Sequence, residues 1–201
     1  MHQLNYSRYV IQGGDIGGII LRYQAALFPD SVVSILSNFW IINPNATDIA
    51  RYNANLTTPD ETAYIRKLIN VETLHEGYFI IQSTEPLVLG HAMTLGWAMY
   101  IYQLIAELSP FYNFSLTEII TWAMMYIIQG PYPAMRFYKE FYRNGAIVDV
   151  GGLGEPPYVT VPVGVTQRPY DGGWDLPLAW AQRGGNVTVV ILRRTRPPTL
   201  C

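Results

Sequence analysis

The feature that most constrains the fold of this chain is a short β-prone segment that runs through closely spaced glycines into a helical pattern. Residues 9–18 read YVIQGGDIGG, and apolar residues then continue at helical spacing as far as Leu27. Pro29 and Asp30 follow and predict the end of that helix. A strand that turns directly into a helix is typical of α/β proteins, in which helices connect the strands of a parallel sheet.

The 201 residues divide into three consecutive zones that differ in their predicted secondary structure. β-prone runs occur in the first and the last zone, and the zone between them is helical. The pattern predicts an α/β core at residues 1–44 and 146–192, an inserted helical lid at 45–145, and a basic tail at 193–201. The core is expected to hold about four mainly parallel strands. They lie near Val10, Val32, Val161 and Val187.

Local signals give finer expectations within these zones. Thr58-Pro59 predicts a helix start, and residues 61–82 are expected to form one helix, or two that are separated at Gly77. Pro162 limits the third strand to a sheet edge or to a strand end, because proline cannot donate to a ladder. Further helices are predicted at 95–107, at 115–128 with a Ser115/Glu118 capping box, and at 178–182.

The glycine-rich turn also carries a chemical motif. Gly13-Gly14-Asp15-Ile16-Gly17 has the pattern small-x-nucleophile-x-small of a nucleophile elbow, with Asp15 at the reactive position. The Ile16 N–H then becomes a candidate oxyanion donor, and the helix dipole favours an ionised carboxylate. Two other interpretations stay open: Asp15 only caps the helix, or the glycines form a cofactor loop. Neither the dinucleotide motif nor the phosphate-loop motif is complete.

Composition excludes several classes of protein. Half of the residues are hydrophobic and 14% are charged, which excludes a disordered tail and a coiled coil. A net charge of −2 gives no indication of a nucleic-acid partner. The single cysteine, Cys201, permits no intrachain disulfide and no cysteine-based metal site. We see no signal peptide and interpret residues 86–106 as a buried helix. We therefore expect a cytoplasmic location and no association with a membrane.

Four segments in the same order resemble the microsomal-type epoxide hydrolases of the α/β-hydrolase superfamily, particularly the fungal ones. They are YVIQGGDIGG at 9–18, GYFIIQSTEPLVLGHAMT at 77–94, RFYKE at 136–140 and VPVGVTQ at 161–167. The likeness runs from about residue 4 to about residue 188. It implies a partial α/β-hydrolase sheet with an inserted helical lid.

The resemblance also implies a mechanism and its residues. Asp15 would attack an epoxide carbon and form an alkyl-enzyme ester, while the lid tyrosines Tyr78 and Tyr138 protonate the departing oxygen. Asp171, in the turn after the VPVG strand, would orient a histidine that serves as the base for ester hydrolysis. The substrate would be a small hydrophobic epoxide and the product a vicinal diol, and no cofactor or metal would be needed.

Some features depart from the family pattern. The family histidine is expected after the last strand, whereas the histidines here are His2, His75 and His91. The family's H-G-W-P oxyanion loop is expected before residue 1, and the tail RRTRPPTLC does not match the family. We therefore expect a chain that is truncated at both ends relative to a whole epoxide hydrolase.

Two hypotheses of different classes follow. The first is an epoxide hydrolase by lineage, which adds water to an oxirane and gives a vicinal diol. Without the family histidine, we expect an ester on Asp15 to persist in this chain. The second is a non-catalytic remnant, or a gene-prediction error, whose exposed apolar edges bind hydrophobic ligands or a partner. A homodimer is one form that such a chain could take.

Overall fold

A computed structural model of the protein describes residues 1–92, 114–144, 147–149, 152–153, 156–167 and 175–192. Contacts divide the chain into two compact units, Met1–Leu68 with Glu155–Cys201 and Ile69–Gly154. The domain boundaries inferred from the sequence remain predictions. The helix predicted at 95–107, Asp171 and the basic tail at 193–201 lie outside the described residues.

The elements are numbered along the chain. A 3₁₀ turn (His2–Leu4) precedes the strands β1 (Tyr9–Gly13), β2 (Val32–Ser37), β3 (Ile147–Asp149), β4 (Gly152–Leu153), β5 (Val159–Gln167) and β6 (Gly185–Leu192). The helices are α1 (Ile16–Leu27), α2 (Ala46–Asn53), α3 (Pro59–Leu74), α4 (Gly77–Thr84), α5 (Pro86–Ala92), α6 (Leu116–Gln129), α7 (Tyr132–Arg143) and α8 (Leu178–Ala181).

The first unit is built on a four-stranded sheet in the order β1-β2-β5-β6, in which all neighbouring strands are parallel. This confirms the predicted α/β class and the partial parallel sheet. One face of β5 is buried at every second residue, from Val159 through Val163 to Gln167. Such alternation is what packing of one sheet face against the core produces.

The expectation that Pro162 limits its strand to an edge or an end is wrong, because β5 lies between β2 and β6. The pairing explains how proline is tolerated there. The ladder with β6 is irregular between Val159 and Val163, and the ladder with β2 begins only at Val163. Pro162 therefore lies where neither neighbour needs a donor from its nitrogen.

Aromatic side chains form the centre of the core in the first unit. Trp40 and Trp180 are each 2% exposed, and Trp40 Nε1 donates to the Ala181 carbonyl at 3.0 Å. Tyr64 packs edge-to-face on Trp180, with ring centroids 5.5 Å apart, and its hydroxyl donates to the Ile42 carbonyl. Each buried polar edge thus has a partner, which a low-dielectric core requires.

Two carboxylates connect the loops of this unit. Glu61 accepts hydrogen bonds from both terminal nitrogens of Arg51, each at 3.0 Å, and from Trp180 Nε1 at 3.1 Å. Asp48, which is 3% exposed, pairs with Arg183 through two hydrogen bonds. These pairs fix α2 and the start of α3 against the segment around α8.

The second unit is mainly helical. Helix α3 begins in the first unit, at Pro59, and ends in the second, at Leu74, before α4 begins at Gly77, which confirms the predicted helix start at Thr58-Pro59 and the division near Gly77. Ser115 and Glu118 form the predicted capping box at the start of α6. A short antiparallel pair, β3 with β4, belongs to this unit. Among the described residues, no helix is long and apolar enough to cross a bilayer.

Candidate active site

The parallel strands β1 and β2 end at the same edge of the sheet. Their last residues, Gly13 and Ser37, are register partners, and the Asn38 N–H donates to the Gly13 carbonyl at 3.3 Å. In open parallel sheets, ligand-binding and catalytic residues lie beyond the carboxyl ends of the strands. Asp15 follows β1 by two residues and therefore occupies the position where this fold carries chemistry.

The turn between β1 and α1 holds Asp15 in a strained conformation. Its φ of 50° and ψ of −133° lie outside the regions that an L-residue favours. Strain of this kind costs about 1–3 kcal/mol and persists only where the surrounding structure enforces it. Asp15 occupies the N-cap position of α1, but its side chain makes no capping hydrogen bond. The strained turn and the absence of a side-chain capping hydrogen bond favour the nucleophile elbow over the interpretation in which Asp15 only caps the helix.

Close packing explains the glycines before Asp15. A Cβ on Gly13 would lie 2.6 Å from Leu21 Cδ2 and 2.7 Å from the Gly17 carbonyl oxygen. A Cβ on Gly14 would lie within 3 Å of three atoms of the Asn38 amide. At Gly17, in contrast, a Cβ would meet nothing within 4 Å. Steric exclusion therefore applies on the strand side of Asp15, whereas Gly17 stands in open space.

The electrostatics of Asp15 reflect two opposing effects. Asp15 is an exposed residue, yet neighbouring atoms partly desolvate its carboxylate, and this desolvation raises the pKa. A hydrogen bond from the Ile16 backbone N–H acts in the other direction and lowers the pKa. Desolvation is the larger effect, so the net shift is opposite to the one that the helix dipole alone predicts. Because the Ile16 N–H bonds to the carboxylate here, its role as an oxyanion donor stays a prediction.

The two predicted lid tyrosines lie together in the second unit, on α4 and α7. Tyr78 and Tyr138 are half-buried, and their rings meet edge-to-face with centroids 6.3 Å apart. Phe79 packs on Tyr138 in the same way, at 5.6 Å. Beneath them, Tyr78 contacts the buried pair Leu89 and Met135. Two phenols 60 residues apart in sequence are thus neighbours, whereas Asp15 belongs to the other unit.

The remaining predicted residues are less fully described. Asp171 lies outside the described residues, and nothing is described of the side chains of His2 and His91. His75 is half-buried between α3 and α4, and no hydrogen-bond partner for its Nδ1 is found among the described residues. Next to it, burial raises the pKa of Glu76 to about 7, and the nearby Glu72 carboxylate adds to the rise.

Sequence analysis missed two polar residues at the carboxyl edge of the sheet. Asn38 follows β2, and Gln167, which is 4% exposed, ends β5. Within the described part of the chain, neither Asn38 Oδ1 nor Gln167 Oε1 has a hydrogen-bond partner, although both atoms are buried. The available signal was a polar residue placed directly after an apolar strand, which in an α/β sheet indicates the functional edge.

The described residues contain no group of three His, Cys, Asp or Glu side chains that could hold a metal ion. Among the described residues, the polar side chains at the sheet edge include the Asp15 carboxylate and the amides of Asn38 and Gln167, which suit hydrogen bonding and nucleophilic attack.

No protein-family model matches the chain. Comparison with individual proteins, in contrast, finds similar sequences that are named epoxide hydrolases. Juvenile hormone epoxide hydrolase 2 of Ctenocephalides felis is 27% identical over 166 residues, which cover 71% of this chain and 36% of that protein. Epoxide hydrolase 1 of Sus scrofa is 28% identical over 176 residues, which cover 74% of this chain and 38% of that protein. The chain thus spans little more than a third of the length of these relatives.

Solved structures agree on the fold. The crystal structure of juvenile hormone epoxide hydrolase from the silkworm Bombyx mori superposes with a TM-score of 0.70 at 19% identity. The superposition covers 96% of this chain and 50% of that chain. Sequence relatives and structural neighbours together confirm the resemblance that the four motifs indicated. The chain is therefore related to the epoxide hydrolases of the α/β-hydrolase superfamily.

Proposed function

We propose that this chain carries the ester-forming half of an epoxide hydrolase reaction, with Asp15 as the nucleophile. A carboxylate oxygen of Asp15 forms a bond to one carbon of the oxirane ring as the carbon–oxygen bond on the opposite side of that carbon breaks. The product is a hydroxyalkyl ester of Asp15. The strained, glycine-flanked turn that presents Asp15 at the carboxyl edge of the sheet is the observation that carries this proposal.

The ring oxygen leaves as an alkoxide and needs a proton. We propose that Tyr78 and Tyr138 donate hydrogen bonds to this oxygen and that one of them transfers its proton. Their edge-to-face contact supports the proposal, because two neighbouring phenols can serve one oxygen atom. The proposal requires that both hydroxyls reach an epoxide held at Asp15.

Ester cleavage needs a water molecule, a base and an oxyanion hole. In the relatives' mechanism a histidine after the last strand would be the base, and Asp171 would orient it. The three histidines of this 201-residue chain, at positions 2, 75 and 91, all precede β6. Loss of the base from such a constellation costs on the order of 10⁴ in rate. We therefore propose that the ester accumulates on the chain as given.

Intact-mass spectrometry tests the proposal directly. The 201-residue chain is incubated with a reactive aryl epoxide such as styrene oxide, and the protein mass and the diol are followed together. We expect one epoxide mass to be added per chain and less than one diol to be released. The measurement uses a Cys201→Ser background, because a free thiol also opens epoxides. In that background Asp15→Asn is the matched control and should gain no mass, because a neutral amide is a far weaker nucleophile.

Diol production over many turnovers would show that His75, His91 or another group acts as the base, which contradicts the accumulation of the ester. Absence of any adduct would contradict the assignment of Asp15 as a nucleophile. That second result would favour the alternative, a non-catalytic protein that binds hydrophobic ligands.

A specific observation keeps this alternative in view. Helix α6 exposes large apolar side chains, among them Leu116, Met125 and Ile128. Exposed apolar surface of this kind favours association with a partner, and a homodimer is the simplest form of it. Light scattering coupled to size exclusion would measure the mass in solution, and a monomeric mass at all concentrations would contradict the dimer. The cytoplasmic location stays a prediction of the sequence.

A further inference from the structure

The side chain of Asn38 fills the space above the turn that carries Asp15. A Cβ placed on Gly14 would lie 1.9 Å from Asn38 Oδ1, 2.8 Å from Cγ and 2.9 Å from Nδ2. These are the three atoms nearest to that position, so the whole amide lies against the Gly14 backbone. The Asn38 N–H also bonds to the Gly13 carbonyl. Asn38 thus contacts both residues that lead into Asp15.

The carbonyl oxygen of the Asn38 side chain is not explained by hydrogen bonding. Among the described residues, its buried Oδ1 has no partner, and a buried acceptor without a partner is costly. An apolar side chain of similar size would avoid this cost at the end of an apolar strand. A polar residue in such a position commonly serves a site rather than the stability of the fold.

We propose that Asn38 is a positioning residue that holds the β1–α1 turn so that the Asp15 carboxylate faces the incoming epoxide. This inference rests on the proposed role of Asp15. The amide blocks movement of Gly14 toward β2, and the backbone hydrogen bond fixes Gly13. These two contacts hold the β1–α1 turn in place. They therefore keep Asp15 at its left-handed φ, a conformation that the residue would leave without this support.

The first test replaces Asn38 with alanine and measures two properties of Asp15. One is the rate at which an aryl epoxide labels the chain, and the other is the pKa of Asp15 by carboxyl NMR. We expect labelling about 10- to 100-fold slower, since small misplacement of a reacting group has effects of this size. We expect the pKa of Asp15 to fall toward its ordinary value, because a relaxed turn admits water to the carboxylate.

The control is Gln12→Ala, which removes an exposed side chain from β1, the strand that leads into Asp15, and should change neither property. An Asn38→Ala variant with unchanged labelling and unchanged pKa of Asp15 would overturn the proposal. If the unmodified chain is never labelled, the proposed function fails on its own. The pKa comparison still decides the role of Asn38 in that case, because it needs no epoxide.

A second test separates positioning from folding. Gly14→Ala should lower the melting temperature markedly, because the new Cβ would clash with the Asn38 amide. The double variant Gly14→Ala/Asn38→Gly should recover much of this loss, yet it should label as slowly as Asn38→Ala. A double variant that melts as low as Gly14→Ala would show that the amide does not hold the turn. One that labels at the unmodified rate would show that Asn38 acts on the fold alone.

Discussion

Replacing Glu76 with glutamine should stabilise the protein at high pH and leave its stability unchanged at low pH. Glu76 lies between α3 and α4, and its Oε2 is buried with no partner among the described residues. Burial and the charge of Glu72 raise its pKa from 4.5 to about 7. The folded state therefore disfavours the charged carboxylate. Glutamine has a similar shape and carries no charge, so it avoids this cost.

The magnitude follows from proton linkage. A pKa that is higher in the folded state than in the unfolded state costs no stability below about pH 4.5, where both states hold the proton. The cost grows as the pH rises from 4.5 to 7 and is complete above the folded pKa. A difference from 4.5 to about 7 corresponds to about 3 kcal/mol at 1.36 kcal/mol per unit. Allowing for relaxation, we expect a gain of about 1–3 kcal/mol for Glu76→Gln at pH 8.

Thermal unfolding at pH 4 and at pH 8 measures this difference. For a domain of this size, 1 kcal/mol shifts the melting temperature by about 2–4 °C. Glu85→Gln removes an exposed carboxylate nearby and serves as the matched control. A Glu76→Gln variant that gains as much at pH 4 as at pH 8, or that loses stability at pH 8, would refute the reasoning.

Four further substitutions test other parts of the structure. Tyr78→Phe and Tyr138→Phe should each slow epoxide labelling about 100-fold, while each variant melts near the temperature of the unmodified chain. A quenched time course of labelling measures the rates, and a variant that is labelled as fast as the unmodified chain would contradict the role of that tyrosine. Glu61→Gln should cost about 1–3 kcal/mol at pH 7 in urea unfolding. Arg51 and other donors lower the pKa of Glu61 from 4.5 to about 2, so this contribution is present above pH 4.5 and is lost toward pH 2. Ser115→Ala removes a capping box and should cost about 1 kcal/mol, which a calorimetric scan would detect.

Local chemistry made part of the fold predictable. The turn at Asp15 needs glycines at 13 and 14 for steric reasons, so the sequence itself reports the strand, the turn and the helix. Ser115 likewise predicts the start of α6, because its capping partner Glu118 is only three residues away. Pro162 was misleading, since a register irregularity in β5 removes the need for its missing donor.

Contacts between distant residues could not be predicted in this way. Asn38 and Gly14 are 24 residues apart in the sequence and touch because β1 and β2 are parallel neighbours in matched register, which no local pattern specifies. The pairing of Tyr78 with Tyr138 depends on α4 packing against α7, and only the family resemblance pointed to it. The short strands β3 and β4 have three and two residues, which is too few to give a periodic signal.

The central claim is that Asp15 is the nucleophile, and peptide mapping of the epoxide-treated chain tests it most directly. Cleavage after Arg8 and Arg22 releases residues 9–22, a peptide in which Asp15 is the single acidic side chain. We predict that this peptide gains one epoxide mass, that fragmentation places the addition on Asp15, and that Asp15→Asn abolishes it. In the Cys201→Ser background, an adduct located on any other peptide, or an unmodified peptide 9–22 from a labelled chain, would contradict the claim.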